Sequence, residues 1–275
     1  MTRVTTIPGN FNTGVTLDDL LLKFPDLAVN IDAGSVLTSP SVNYSGEQTI
    51  TNAIDVSTAA SYAAKDLAGH YTAAVNGVES AKYIDAQDQP KRRAGYALPN
   101  NFFTGKNAIT MFAVVKSRKS ADTYNHQIFS GYHSNSSKPM LAFGFSSNGV
   151  VTLAARHSDE ANTVDILDAA CSADTWLPLI AVVDYTGNRM SLEIVGSNLV
   201  QKSAFAGFSG ASGTPAGAGC GFLGRHNATS YLATAVYRNS WKKALKYDRL
   251  LTAKELEIAR RSLKATADRL NATGS

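Results

Sequence analysis

The sequence is poor in cysteine and in long apolar runs, and each shortage excludes a class of protein. Its 275 residues include only two cysteines, Cys171 and Cys220. Two are too few for a disulfide framework, and too few for a zinc site without distant histidines. Whether the two thiols pair stays open. No apolar run approaches the roughly 18 residues that cross a bilayer, and the N-terminal stretch lacks the apolar core of a secretion signal. We therefore expect neither membrane insertion nor export by a signal peptide.

Charge is also sparse and spread along the chain. The sequence has 26 basic and 22 acidic residues, and charged residues make up 17% of it. Basic residues cluster only at 91–93 and near the C-terminus. Because a dedicated nucleic-acid surface needs a clustered basic patch, we expect no specific nucleic-acid partner.

Signatures of catalysis and of metal binding are missing as well. Retaining glycoside hydrolysis needs two carboxyl groups about 5 to 5.5 Å apart, yet Glu193 is the only glutamate on a clear strand pattern and has no acidic neighbour two residues away. Residues 219–224 match G-x-G-x-x-G, but a strand pattern follows where a dinucleotide site needs a helix. No D-x-D-x-D run indicates calcium. We therefore expect a protein that is not an enzyme and needs no cofactor. Calcium binding stays open, although no motif supports it, and the sequence identifies no residues for a metal site.

What the sequence does contain, from about residue 105, is a series of paired strand patterns. "AITMFAVVKS" and "WLPLIAVVDY" are apolar on both faces, which predicts strands buried within a two-sheet stack. "MLAFGF" and "VVTLAAR" flank an Asn-Gly turn at Asn148 and Gly149, which predicts a hairpin. "RMSLEIV" alternates and follows the turn at residues 186–188, which predicts a second hairpin with one wet face.

The chain ends in an amphipathic helix pattern over residues 252–270. Thr252 and Glu255 match a capping box, and Leu251 with Leu256 matches the hydrophobic staple around it. Apolar residues then recur at spacings of three and four, which predicts one buried face. We expect this helix to close one side of a β-sandwich.

Residues 1–25 form a predicted N-terminal arm ahead of a domain at 26–275. Thr16 is placed to cap a short helix that carries Leu20, Leu21 and Phe24. Such a segment has too little apolar surface to stand alone, so it is expected to dock either on a partner in an assembly or on the main domain.

Several of these stretches, in this order, resemble the concanavalin A-like, laminin-G-like jelly-roll family. "AITMFAVVKS", "QIFSGY", "DYTGN" and "GFLGR" match its strands loosely, and Tyr247, Arg249, Leu251, Thr252 and Glu255 carry its "Y-x-R-x-L-s-x-x-E" helix start. In the N-terminal half, Asp32, Asp66 and Gly69 also fit, although Ala68 replaces the usual Ser. The resemblance implies an all-β, two-sheet antiparallel jelly-roll sandwich with a C-terminal amphipathic helix.

Three polar loops combine aromatic rings with amide and imidazole groups, a mixture that suits a sugar and equally suits ordinary surface loops. The candidate glycan-binding or partner-binding residues are Asp122, Tyr124, His126, Tyr132, His133, Arg225, His226 and Tyr231.

The family that this sequence resembles includes phage structural proteins. The resemblance therefore implies a non-enzymatic component of a virion, such as a capsid decoration, head fibre or tail protein. Such a protein would be made in the host cytoplasm, would dock through its arm to other virion proteins, and would present a module for host glycan. Sandwich domains on virions form small oligomers, so a homotrimer or dimer is expected. The alternative is a free lectin-like protein or a glycoside hydrolase of the same fold.

Overall fold

Two antiparallel β-sheets form the body of the chain. The computed structural model describes residues 16–32, 42–43, 49–50, 53–55, 60–62, 94–98, 103, 105–117, 126–132, 139–156, 164–204, 219–222, 224–226, 231–236 and 240–273. Its side chains are described for residues 16–27, 103, 105–117, 126–131, 140–156, 164–204 and 240–273. Sheet 1 has the spatial order β1 (Leu27–Asp32), β18 (Trp241–Tyr247), β7 (Ala108–Lys116), β12 (Trp176–Asp184), β13 (Arg189–Ile194) and β14 (Asn198–Lys202).

Sheet 2 faces sheet 1 and has eight strands in the described residues. Its spatial order is β11 (Asp165–Ala169), β10 (Val151–Ala155), β9 (Pro139–Phe145), β8 (His126–Tyr132), β15 (Gly219–Phe222), β6 (Ala94–Leu98), β4 (Ala53–Asp55) and β5 (Ala60–Tyr62). Two short ribbons pair β2 (Val42–Asn43) with β3 (Thr49–Ile50), and β16 (Gly224–His226) with β17 (Tyr231–Val236). Every pairing among these strands is antiparallel, so the predicted two-sheet antiparallel sandwich is confirmed.

The central strand β7 is buried on both faces, as its unbroken apolar sequence predicts. On one face Met111 packs into the core between the sheets, together with Phe143 of β9. On the other face Phe112 packs against Leu263 of the C-terminal helix α2 (Ala253–Ala272). The outer face of β7 is thus covered by a helix, which forms a third layer outside the two sheets. The sequence pattern predicts burial on both faces but places it within the stack of two sheets.

Both predicted hairpins form. β9 pairs with β10 from Phe145 and Val151 outward, and Gly149 has a φ of 76° in the turn between them. Asn148 keeps a negative φ, so the turn uses one left-handed residue rather than the two that the Asn-Gly pattern suggested. β12 pairs with β13 from Asp184 and Arg189 outward.

Helix α2 begins with the predicted capping box. The Glu255 backbone N–H donates to the Thr252 hydroxyl at 3.3 Å, and the Thr252 backbone N–H donates to the Glu255 carboxylate at 2.8 Å. Leu251 and Leu256 both join the cluster under the helix, as the staple predicts. The buried stripe follows the predicted spacing and consists of Ala259, Ser262, Leu263, Thr266, Ala267 and Leu270.

The N-terminal helix α1 (Leu17–Leu22) docks on this chain's own domain. Thr16 caps it with the predicted capping geometry. Leu21 is 1% exposed in the cluster under α2, and its carbonyl oxygen accepts a hydrogen bond from the Tyr247 hydroxyl at 2.7 Å. The ring centroids of Phe24 and Tyr247 lie 6.1 Å apart. Leu21 and Phe24 therefore contact the main domain, one of the two docking surfaces expected for this segment. Docking of the arm on other proteins of an assembly stays a prediction.

Charged groups hold α1 in place beside its apolar contact. The Lys243 ammonium lies 2.7 Å from the Asp18 carboxylate, and the Ser262 hydroxyl donates to the same carboxylate. Leu20 is half-buried. Residues 1–15 lie outside the described residues, so an anchoring role for them stays a prediction. Neither described helix has the length and apolarity needed to cross a membrane.

Candidate functional site

Strand β8 separates the predicted binding residues into two groups. His126 begins the strand and Tyr132 ends it. Since a strand rises about 3.3 Å per residue, these two positions lie about 20 Å apart, at opposite ends of the sandwich. The start and the end of β8 therefore do not contribute to one compact site.

The other described candidates lie at the end where β8 begins. Phe222 of β15 pairs with Phe129 in an antiparallel register, so the chain beyond Phe222 runs toward the start of β8. β16 follows and contacts β8, which places the backbone of Arg225 and His226 at that end. Tyr231 pairs with His226 and lies there too.

The chemical roles of these residues stay predictions. His126 is only 6% exposed, which leaves its imidazole little surface for a ligand. Asp122, Tyr124 and His133 lie outside the described residues, and only the backbone is described at the remaining four positions.

A pocket of about 540 Å³ opens at the same end of the sandwich. Strand registers connect it to the predicted residues: His126 pairs with Phe145, Phe145 with Val151, and Val151 with Ala169 at the end of β11. Three strand spacings separate β8 from β11, so the pocket begins about 14 Å from the start of β8. We call this end of the sandwich the pocket end.

Three segments that are distant in sequence line the pocket. They are the stretch from residue 170 into the start of β12, the turn between β13 and β14, and the C-terminal half of α2. The floor is apolar and includes Leu177, Ile194 and Ala267. Trp176 is 1% exposed, so its ring belongs to this floor and offers no face for stacking.

The walls of the pocket carry neutral hydrogen-bonding groups and one ion pair. Thr175 and Ser197 each donate their hydroxyl proton to a nearby backbone carbonyl, which leaves oxygen lone pairs as acceptors. The side chains of Ser172 and Asn198 make no hydrogen bond within the described part of the chain. Lys264 and Asp268 form an ion pair on α2 at 2.7 Å, with both side chains more than half exposed.

Hydrogen bonds hold the pocket walls in place. The Asn271 side chain bonds both backbone groups of Trp176: its oxygen accepts from the N–H at 2.8 Å, and its nitrogen donates to the carbonyl at 3.1 Å. The Cys171 thiol donates to the Gly149 carbonyl at 3.2 Å, which ties the pocket to the β9–β10 turn. Cys171 is a free thiol. The end of α2 and the start of β12 therefore form one wall.

Two carboxylates considered for catalysis, Glu193 and Asp268, lie in ion pairs. Glu193, the candidate considered from the sequence, lies under α2 and accepts two hydrogen bonds from Arg260, at 2.8 and 2.9 Å. Asp268 is the only carboxylate among the described residues that line the pocket, and Lys264 neutralises it. A pair of close carboxyl groups, which glycoside hydrolysis needs, is not among that lining.

Three carboxyl groups have shifted pKa values in the described part of the chain, and all three are lowered. Burial alone would raise the pKa of Asp18, but Lys243 and Ser262 outweigh it. Hydrogen bonds from Thr16 lower the pKa of Asp19. Bonds from Arg249 lower the pKa of Glu255 to about 2. A general acid needs the opposite shift, toward neutral pH.

No group of three or more His, Cys, Asp or Glu side chains lies close enough to hold a metal ion among the residues whose structure is described. The acidic side chains there are mostly occupied by cations: Asp165 by Lys202, Asp184 by Arg189, Asp248 by Lys246, and Glu257 by Arg261.

Comparison with solved structures supports the architecture. The binding domain of botulinum neurotoxin serotype D/C aligns with a TM-score of 0.54 at 10% identity, over 90% of this chain and 53% of that chain. The two chains share the two-sheet fold. This chain spans about half the length of the neurotoxin binding domain. The CBM40 of the Ruminococcus gnavus IT-sialidase, solved with alpha2,3 sialyllactose, aligns with a TM-score of 0.44 at 16% identity, over 63% of this chain and 91% of that chain.

Neither a protein-family model nor a curated protein matches the sequence. At 10% identity the structural likeness shows the fold alone. The chemistry of a ligand for this chain therefore follows from the residues of its own pocket.

Sequence reasoning missed this pocket for a clear reason. Its groups come from residues around 175, 197 and 266, and each stretch alone has the composition of an ordinary turn or helix face. A weak signal was present in "GSNLV", a small polar turn between two strands. Nothing local indicates that this turn faces a helix that comes almost 70 residues later.

Proposed function

We propose that the chain is a non-enzymatic, glycan-binding β-sandwich module that holds its ligand at the pocket end. One observation carries the proposal: the pocket of about 540 Å³ is walled by hydroxyl and amide groups over an apolar floor. Pockets that take small molecules have this size and this pattern of a few polar groups on an apolar lining. Sugars match it, since each hydroxyl both donates and accepts while the C–H surface is apolar.

Two further features support binding without turnover. Among the described residues that line the pocket, Asp268 has no second carboxylate beside it, so the close pair that glycoside hydrolysis needs is not part of this lining. The neurotoxin domain with the same fold is a binding domain by name, which fits a binding module but does not identify a ligand.

A glycan array tests the binding function by comparing the wild type with a variant that lacks two polar side chains of the pocket wall. The double variant Ser172→Ala/Asn198→Ala removes two side chains that are open to a ligand. Loss of two hydrogen bonds of about 1 kcal/mol each should weaken binding by roughly 30-fold. Thr186→Ala, an exposed hydroxyl in the β12–β13 turn, is the matched control at the other end of sheet 1.

The array and a hydrolysis screen together decide between three outcomes. Binding that the double variant loses and Thr186→Ala keeps supports the proposal. Binding that survives both substitutions places the ligand elsewhere and overturns the pocket assignment. Turnover of a glycan that is abolished by one carboxylate substitution overturns the non-enzymatic role in favour of a glycoside hydrolase.

We also propose that the module is made in the host cytoplasm and belongs to a virion, as a capsid decoration, head fibre or tail component that forms a homo-oligomer. The support is the sequence resemblance to jelly rolls of phage structural proteins and the N-terminal segment ahead of α1. The test is truncation of residues 1–15, with α1 kept because Leu21 belongs to the domain core. The truncated protein should fold and bind glycan but fail to join the particle. A chain that never associates with a particle, with or without residues 1–15, is a free lectin.

A further inference from the structure

We infer that the pocket selects neutral over acidic glycans, with Lys264 and Asp268 contacting neighbouring hydroxyl groups of one sugar. This inference rests on the glycan-binding function proposed above and names the ligand class of the same pocket. Three observations carry it: the open hydrogen-bonding groups, the charge balance of the wall, and the position of Lys264 beside the β13–β14 turn.

The open groups of the pocket contain donors and acceptors in similar number. Thr175 and Ser197 present acceptors, since their protons are already used. Asn198 presents both an amide donor and an amide acceptor. The Lys264 ammonium has three hydrogens and contacts the two Asp268 oxygens at 2.8 and 2.7 Å, so at least one hydrogen is left for a ligand. Hydroxyl groups donate and accept at once, so they can pair with either kind of group in this mixture.

The charges of the wall cancel at short range. Lys264 and Asp268 are the only charged residues in the described pocket lining, and they lie one helical turn apart on the exposed side of α2. A carboxylate or sulfate that approaches Lys264 also approaches the Asp268 carboxylate, and the repulsion offsets the attraction. A neutral diol meets no such penalty, because it can donate to Asp268 and accept from Lys264.

The β13–β14 turn lies beside Lys264 in the pocket lining. Gly196 has a φ of 87°, and a Cβ built on it would lie 3.6 Å from the Lys264 Cε. The end of the lysine chain therefore lies beside this turn, where its ammonium group contacts Asp268. Both side chains of the pair lie on the same side of the pocket.

The test uses an array of neutral oligosaccharides together with their sialylated and sulfated counterparts, followed by calorimetry with the strongest ligand. The wild type should bind neutral glycans at least 10-fold more tightly than the acidic counterparts. Asp268→Asn and Lys264→Gln should each weaken neutral binding by roughly 10-fold, the effect of one lost charge-assisted hydrogen bond. Asp268→Asn should also reduce the difference in affinity between neutral and acidic glycans, because it leaves the lysine charge uncompensated.

The chain offers a matched control on the same helix. Glu257 and Arg261 form a second exposed i,i+4 ion pair outside the pocket. Glu257→Gln and Arg261→Gln should change binding less than 2-fold. All four residues are at least half exposed, so we expect every variant to keep its fold, and circular dichroism checks this.

The outcomes separate this inference from the function on which it rests. A wild type that prefers acidic glycans, or an Asp268→Asn variant that behaves like Glu257→Gln, overturns the selectivity while glycan binding stands. Absence of binding to every glycan on the array overturns both. Neutral preference that depends on Lys264 and Asp268 but not on the control pair supports the inference.

Discussion

At the scale of single residues, Glu255 connects three parts of the chain. Its carboxylate accepts two hydrogen bonds from Arg249, at 2.9 and 2.6 Å, and one from the Thr252 backbone N–H. Arg249 also donates to the Pro25 carbonyl at 3.1 Å, beyond the end of α1. The cap of α2 is therefore also a link to the N-terminal segment.

Glu255→Gln should lower the free energy of unfolding by about 1–2 kcal/mol at pH 7, since it weakens both a cap and a bidentate ion pair. The arginine lowers the pKa of the wild-type carboxyl from 4.5 to about 2. Between these values the unfolded chain binds the proton and the folded chain does not, so wild-type stability falls as the pH falls. The difference between variant and wild type should shrink over the same range, as urea unfolding at pH 7, 4 and 2 will measure.

Glu257→Gln is the control for this experiment, because Glu257 sits on the same helix in an exposed pair with Arg261. Exposed pairs contribute little, so its effect should stay within about 0.5 kcal/mol at every pH. If the two substitutions lower the free energy of unfolding equally, Glu255 does not stabilise the fold more than an exposed pair does.

Gly149 is the residue on which the β9–β10 turn depends. Its φ of 76° lies in the left-handed region, which costs a residue with a Cβ about 1–2 kcal/mol. Gly149→Ala should destabilise the protein by that amount in urea unfolding. Asn148→Ala, in the same turn at a negative φ, should change stability by less than about 0.5 kcal/mol. Equal stability of the two variants would contradict a left-handed backbone at Gly149.

At the scale of elements, α2 covers the outer face of sheet 1. The cluster between them contains Phe112 and Val114 of β7 and Ile180 of β12, beneath Leu263 and Leu270 of the helix. Arg260 adds a bidentate pair to Glu193 of β13, whose outer face the sequence pattern had predicted to be wet. The alternation in β13 is confirmed, but the helix shields part of its polar face.

Leu263→Ala should cost about 2–5 kcal/mol, the range for a leucine truncated in a closed core. Leu263 is 0% exposed at the centre of the helix contact. Chemical denaturation measures the change. Leu199→Ala on the edge strand β14, where the side chain is 52% exposed, is the control and should stay within about 0.5 kcal/mol. A small effect at Leu263 would mean that α2 is not an integral layer of the fold.

At the scale of the whole molecule, α1 joins the two ends of the chain. Asp18 contacts Lys243 of β18 and Ser262 of α2, while Leu21 fills the cluster beneath that helix. A six-residue helix is marginal alone, so these tertiary contacts are what hold it. The N-terminal segment is thus part of the folded domain from residue 16 onward.

Two truncations test where the domain begins. Removal of residues 1–25 exposes the site of Leu21 and leaves Lys243 without its carboxylate, so it should cost at least about 2 kcal/mol and lower the Tm by about 4–8 °C. Removal of residues 1–15 should leave the Tm within about 2 °C, because α1 and its cap remain. Thermal unfolding followed by circular dichroism compares the two. Equal Tm values for both truncations would contradict the docking of α1.

The local features of this protein follow from short stretches of its sequence. The alternation of "RMSLEIV", the turn at Asn148 and Gly149, and the capping box at Thr252 and Glu255 each lie within a few residues, and each forms where its pattern predicts it. Local patterns suffice for such features because strand period, turn torsions and helix caps depend on neighbouring residues.

Which layers meet, and where a ligand fits, depends instead on contacts between distant segments. The doubly apolar β7 faces a helix on its outer side, Leu21 packs inside its own domain, and the pocket combines the β13–β14 turn with Lys264 and Asp268. Each of these features joins residues about 70 to more than 200 positions apart. No local period or spacing encodes such a contact, since it arises when separate apolar faces are buried against one another.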